Sequence, residues 1–139
     1  MSLRFQATAA IADCLFQDNT AGHGGAIYLS VPTALAGITI TGTSRFVSNH
    51  ADDDGGAIYN SGGSLNLTDT DFVANTARLN GGAVHTKTGA ATLLRVHFGW
   101  GNRAAGPLGA HLVANEAGAT VTLTNCLKDD PADIFVVLV

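Results

Sequence analysis

A chain of 139 residues with 7 Lys and Arg against 11 Asp and Glu has the length of a single domain, and its net charge of −4 leaves no basic surplus for a phosphate backbone, which excludes nucleic acid as an expected partner. Its 46% hydrophobic content, with only 6% aromatic and 13% charged residues and 17 glycines, is too apolar for disorder and describes a core of Ala, Val, Leu and Ile in a chain that turns often.

The N-terminal "MSLRFQATAA" carries no long apolar h-region of the secretory kind. The expectation is either a protein not exported by that route or a piece of a longer chain. Along the whole sequence no apolar run reaches the ~18–20 residues of a membrane helix, so no helical membrane span is expected. Cys14 and Cys126 stand near opposite ends and supply neither a disulfide framework nor a CxxC metal signature.

From Cys14 onward the chain repeats. "FQDN" at 16–19 precedes Ala21 and "GGAIY" at 24–28; "FVSN" at 46–49 precedes Ala51 and "GGAIY" at 55–59; "FVAN" at 72–75 precedes Ala77 and "GGAVH" at 81–85. A degenerate copy follows as Phe98, Asn102, Ala104 and "LGAHL" at 108–112, and "CLKDD" at 126–130 restarts the "CLFQD" of 14–18. Phe46, Phe72 and Phe98 are separated by 26 residues in each step, and the flanking intervals are 30, with the surplus in turns such as "VPTALAG" at 31–37. This sets repeats of about 14–45, 46–71, 72–97 and 98–127 and a C-terminal strand at 132–139, all within one domain spanning 1–139.

Between each GGA segment and the next Phe lies a strand of period 2: "ITITGT" (38–43), "SLNLTDT" (64–70), "ATLLRV" (91–96) and "TVTLTN" (120–125). Each repeat therefore holds about three short β segments and no helical pattern. A period in the mid-twenties made only of strands predicts a parallel β-helix, in which one repeat is one coil and equivalent residues stack ~4.8 Å apart. In that frame Asn19, Asn49, Asn75 and Asn102 form a ladder of side-chain amides, and Phe16, Phe46, Phe72 and Phe98 form an internal aromatic stack. Gly25, Gly56, Gly82 and Gly109 belong to glycine pairs that allow a tight bend and close backbone approach. A left-handed hexapeptide helix is disfavoured, because its six-residue period is absent.

The tandem FxxN and GGA(I/V/L) motifs resemble the repeats of the chlamydial polymorphic membrane proteins, within the broader group of right-handed, pectin-lyase-like β-helices. The resemblance covers residues 14 to 128. It implies an all-β, single-stranded right-handed parallel β-helix of about four to five coils. It further implies a non-enzymatic module displayed outside the cell or on its surface, acting as scaffold or adhesin on a protein or a glycan.

Other readings attach to particular residues. The acidic turn Asp52, Asp53 and Asp54 is a weak candidate for a cation, but Ca²⁺ needs six to eight converging oxygens and the equivalent turns read "GH" and "RLN". A solvated acidic turn is the expectation, with no resident metal or cofactor. "GHG" at 22–24 and "DD" at 129–130 resemble polygalacturonase motifs, which opens the alternative of a polysaccharide-binding or polysaccharide-active protein. Against it, Gly24 belongs to the GGA signature, and Arg78, Lys87, Arg95 and Arg103 in the middle coils show no pairing with an acidic column. The five histidines are scattered, His85 taking the column of Tyr28 and Tyr59 and His111 falling beside that of Ile27, Ile58 and Val84. They read as ladder or surface residues.

Two features stand out from the repeat. The rung "FGWGNRAAGPLGAH" (98–111) carries an extra residue before Asn102 and the sole tryptophan, so Trp100 with Arg103 is the expected contact surface, unless Trp100 plugs a widened core. The outward positions Thr39/Thr41, Asn66/Thr68, Thr92/Leu94 and Thr122/Thr124 form an interrupted threonine column, the basis of a minor ice-binding alternative. Finally, a β-helix has open ends. Cys14 and Cys126 hold the same repeat position roughly 19 Å apart, too far for a disulfide within one chain, and end-to-end self-association is the corresponding expectation.

Overall fold

Strands this short, rich in aliphatic and β-branched residues and cut by Gly, Asn and Asp, have no backbone partner within their own segment, so each pairs with its equivalent in the next repeat. The computed structural model describes residues 1–3, 8–31, 36–106 and 111–138. In them the chain is an all-β parallel solenoid of about four turns, with no helix among the described residues.

Three sheets form its walls. The phenylalanine sheet stacks Leu15–Gln17, Arg45–Val47, Asp71–Val73, His97–Phe98 and Leu127–Lys128. The alanine sheet stacks Thr20–Ala21, His50–Ala51, Thr76–Ala77 and Arg103–Ala104. A broad nine-stranded sheet carries both the GGA-type strands and the period-2 threonine strands. These two are separate in the first coil, as Ile27–Leu29 and Gly37–Thr41, but fuse into 11-residue strands at Ile58–Thr68 and Val84–Leu94. The expected separation into three short segments therefore fails in the central coils. The physical reason is a bulge: register shifts at Thr86/Thr88 and Thr88/Ala90, opposite Gly62 and Gly63 at positive φ, bend the sheet without ending the pairing.

The interior is built of columns. Ile27, Ile58, Val84 and Val113 are in register, as are Ile40, Leu67, Leu93 and Leu123. All but Leu123 are fully buried, and Leu123 packs against the core from the last coil. Phe16, Phe46, Phe72 and Phe98 stack with ring centroids 4.7, 4.9 and 5.5 Å apart. Beside them the Asn49 side chain donates to Asn75 Oδ1 at 2.9 Å and to the Phe16 carbonyl at 3.0 Å, and Asn75 repeats this with Asn102 and Phe46. The residue before each ladder Asn (Asp18, Ser48, Ala74, Gly101) has φ between 54° and 85°. A non-glycine residue there costs roughly 1–2 kcal/mol, and the ladder's buried hydrogen bonds offset that strain on each coil.

Behind the ladder, the two glycines of a pair serve different ends. Gly55 has φ +69°, which a side chain disfavours, whereas a Cβ on Gly56 would run into the Gly82 carbonyl and the Thr76 backbone of the next coil.

The degenerate fourth copy does not align as the motif suggests. Val113, not His111, pairs with Val84, and Ala114 pairs with His85. Ala104 is still in register with Ala77, but Val113 follows it by nine positions where Val84 follows Ala77 by seven, so two residues beyond Ala104 slide the strand; Gly109 and its neighbours 107–110 lie outside the described residues. At the last coil Lys128 takes the register of Phe98. Its ammonium donates to the carbonyls of Pro131 and Asp133 and lies 5.3 Å from the Phe135 ring, which packs edge-on to Phe98 at 6.1 Å. Two outer strands, Ser2–Leu3 and Ile134–Leu138, extend the GGA column at its two ends.

Candidate functional site

Each strand of the alanine sheet is two residues long, so one side chain faces in and one faces out. The small inward residues Ala51, Ala77 and Ala104 form their own cluster apart from the main core. The outward column runs Thr20, His50, Thr76, Arg103 on consecutive coils. Against this wall lies an open groove of about 540 Å³, lined by His50, Thr76, Ala77 and Arg78 on the central coils and by Arg103, Ala104 and Ala105 on the next.

The polar groups of the groove are held in different ways. His50 Nδ1 and Thr76 Oγ1 share a 2.8 Å hydrogen bond, and the other ring nitrogen of His50 lies 3.5 Å from Asp52. Arg78 is anchored on the acidic turn: Nε donates to the Asp52 carbonyl at 2.5 Å and Nη2 to Asp53 at 2.7 Å. Arg103 reaches Asp130 at 3.8 Å and leaves more than half of its side chain in solvent.

The acidic turn is therefore more than a solvated loop. Asp53 pairs with Arg78, and Asp54 accepts from both the backbone and side-chain nitrogens of Asn80 at 3.0 Å. The expectation that the middle-coil arginines have no acidic partners is corrected by the same geometry. Arg78 pairs with Asp53, Arg95 donates twice to Asp69 at 2.6 and 2.7 Å, and Arg103 faces Asp130. Each pair joins residues of different coils, a proximity invisible in the linear order. Among the described residues no group of His, Cys, Asp and Glu is arranged to hold a metal ion.

Asp54 also stands at the centre of a cluster that the sequence leaves scattered. Tyr28, Tyr59 and His85 stack along the outer face of the broad sheet at 5.3 and 5.1 Å, and His23 covers Tyr59 at 4.6 Å. His85 is fully buried between two carboxylates, with Nε2 3.0 Å from Glu116 and Nδ1 3.7 Å from Asp54. Burial pushes its pKa down against the pull of Asp54 and Glu116. Burial, with Glu116, Asp54 and Tyr28 nearby, pushes the Tyr59 phenol up to about 12. The one sequence signal for this cluster was the substitution of His85 into a tyrosine column. Its partners come from turns of other coils.

Trp100 projects into solvent with 59% of its surface exposed, so it does not plug the core. The insertion is taken up between Phe98, in register with Phe72, and Gly101 at φ 85°, which returns the chain to the ladder at Asn102. Arg103 lies in the groove, and Trp100 is not part of its lining. On the broad sheet Thr39, Asn66, Thr92 and Thr122 are in register, with Thr39, Thr92 and Thr122 exposed.

Compared with known protein families, the chain matches the Chlamydia polymorphic membrane protein (Chlamydia_PMP) repeat at residues 13–30 and 43–61. Each matched segment runs from the turn before the phenylalanine strand, through the ladder Asn and the glycine pair, and takes in the tyrosine that follows, Tyr28 or Tyr59. No curated protein and no solved structure matches the chain.

Proposed function

We propose, from a chain carrying the Chlamydia polymorphic membrane protein repeat, that this solenoid is a non-enzymatic binding module displayed at a cell surface, acting as scaffold or adhesin through its side wall. The observation that carries the reading is the repeat itself, matched on two coils whose Phe, Asn and Gly positions are interior columns of a rigid stack. Such positions maintain a scaffold and leave the outward side chains free for recognition. The name of the repeat points to proteins of a membrane surface, which supports display outside the cell.

The lining of the groove favours binding over turnover. Glycoside hydrolysis needs two carboxyl groups flanking one bond, and among the described residues the lining of the groove includes two arginines, a histidine and a threonine but no carboxylate. The test pairs adhesion with turnover. Beads coated with the 139-residue chain should adhere to cultured cells above beads coated with heat-unfolded chain, and polysaccharide incubated with the chain should keep its length and gain no unsaturated ends. Steady cleavage of any polysaccharide, abolished by substituting an acidic pair, would overturn the reading.

A further inference from the structure

The inward side of the broad sheet carries one polar column among its aliphatic ones. In the first coil that column holds Leu29, fully buried; on the next three coils it reads Asn60, Thr86 and Asn115, in register from strand to strand. Leu138 takes the same register position on the last strand. Asn60 Oδ1, Thr86 Oγ1 and Asn115 Oδ1 are all shut off from solvent, and none has a hydrogen-bond partner among the described residues. The other ends of the two amides are occupied. Asn60 Nδ2 donates to the Ala90 carbonyl at 3.2 Å and Asn115 Nδ2 to the Ala119 carbonyl at 3.3 Å. Ala90 and Ala119 each stand just past a corner glycine at positive φ, Gly89 and Gly118. Only a nitrogen can donate there, which leaves the oxygens as the unpaired atoms. One buried oxygen without a donor is costly, and three on consecutive rungs form a pattern that leucine, which serves at position 29, would avoid.

We propose that this column is a binding site for water: a file of two buried water molecules, one between Asn60 and Thr86 and one between Thr86 and Asn115. The rung step selects the ligand. Oxygens one step apart, about 4.8 Å, are too far from each other to bond directly. A water about 2.8 Å from each spans the step with an angle of roughly 120° at its own oxygen, close to the tetrahedral arrangement that water prefers. Donors and acceptors then balance. The first water donates to Asn60 Oδ1 and to Thr86 Oγ1, the Thr86 hydroxyl donates to the second water, and the second water donates to Asn115 Oδ1. A hydroxyl suits the middle rung because it accepts from one side and donates to the other. A metal cation fits less well, since the column supplies three neutral oxygens on separate rungs and no carboxylate, where Ca²⁺ takes six to eight oxygens. The file does at the glycine corner what the Asn ladder does beside the phenylalanines. It ties rung to rung through buried polar groups, with solvent in place of a repeated side chain.

The test uses the 139-residue chain. A crystal structure fine enough to show solvent should place one water in each gap, about 2.8 Å from the oxygens on either side. Thr86→Val keeps the shape of the side chain and removes the central oxygen. It should lower the folding equilibrium constant about tenfold in urea titration, because Asn60 and Asn115 lose their bridge. Oxygen-17 relaxation dispersion of the solvent should fall by at least one long-lived water in the same variant. Thr39→Val, at an exposed position of the same sheet, should change neither reading. If Thr86→Val does not fold, Asn60→Leu, which copies the residue of the first coil, carries the same comparison. A Thr86→Val chain as stable as the native one, or more stable, would overturn the proposal, as would a native structure whose gaps hold no solvent. Contacts of about 2.4 Å in the gaps, with stability that rises with sodium or potassium at fixed ionic strength, would mark a cation and equally overturn it.

Discussion

The central coils and the coil that begins at Phe98 solve the same packing problem with different freedom. Between Asn49 and Asn75 the ladder advances by 26 residues, and Ile58, Val84, Phe46 and Phe72 all stack on their equivalents. From Asn75 to Asn102 the step is 27, the extra residue is extruded at Trp100, and the following strand slides until Val113 meets Val84. Both coils keep the Phe stack and the Asn ladder. What changes lies on the outside: an exposed indole, a loosely paired Arg103 and the rim of a groove. Interior columns tolerate no drift because each residue is clasped by the rung on either side, so variation is confined to outward turns.

The sharpest way to break the comparison is to put a side chain where two coils touch. Gly56→Ala should be the most disruptive single change, since its Cβ meets the Gly82 carbonyl and neither backbone can withdraw without parting the coils. Loss of a cooperative urea transition is the expected result, whereas a Cβ at exposed Gly22 meets nothing, so Gly22→Ala should be near neutral.

Next in size is the ladder. Asn75→Ala removes a fully buried amide that accepts from Asn49 and donates to Phe46 and Asn102, and should lower stability by roughly 2–4 kcal/mol in denaturant titration. Asn19→Ala, at the exposed first rung, should change it by less than about 1 kcal/mol. Equal effects would mean that the ladder is not what holds the coil step.

The histidines sharpen the comparison through pH. His85 is buried with its pKa lowered from 6.5, so below that value the unfolded chain takes up the proton more readily than the folded one. Its contribution is complete above pH 6.5 and lost as pH falls. His97 is the opposite case: a hydrogen bond to Asp129 raises its pKa above 6.5, so its contribution is complete below 6.5 and lost as pH rises. Urea midpoints at about pH 5 and about pH 7.5 should separate them, with His85→Phe reducing the acid sensitivity of the native chain and His97→Gln reducing its alkaline loss. Tyrosine absorbance offers a second readout, since Tyr59 should ionise only near pH 12.

The smallest effect belongs to the irregular coil. Trp100→Ala should shift stability by no more than about 0.5 kcal/mol, because the indole stands in solvent beside a turn already held by Gly101 and Asn102. A large loss would show that the indole is part of the scaffold.

Most of the scaffold was legible in the linear order. Phe16, Phe46, Phe72 and Phe98, with the four ladder asparagines, announced stacked coils because only stacking makes identical residues recur at an interior position. The threonine strands announced their buried faces by period 2. Less legible were the fusion of two strands into Ile58–Thr68 and Val84–Leu94 and the slide that puts Val113 opposite Val84, since both depend on how a bulge or an insertion is absorbed by neighbouring rungs.

The candidate site belongs almost wholly to the tertiary structure. Arg78 with Asp53, His85 between Asp54 and Glu116, and the column His50, Thr76, Arg103 each join residues from different coils. The sequence by itself determined the coil, its period and its interior columns, because those positions must satisfy the same contacts on every turn. Only the stack decided which outward residues meet, because turns of unequal length place side chains that share no motif within a few ångströms of one another.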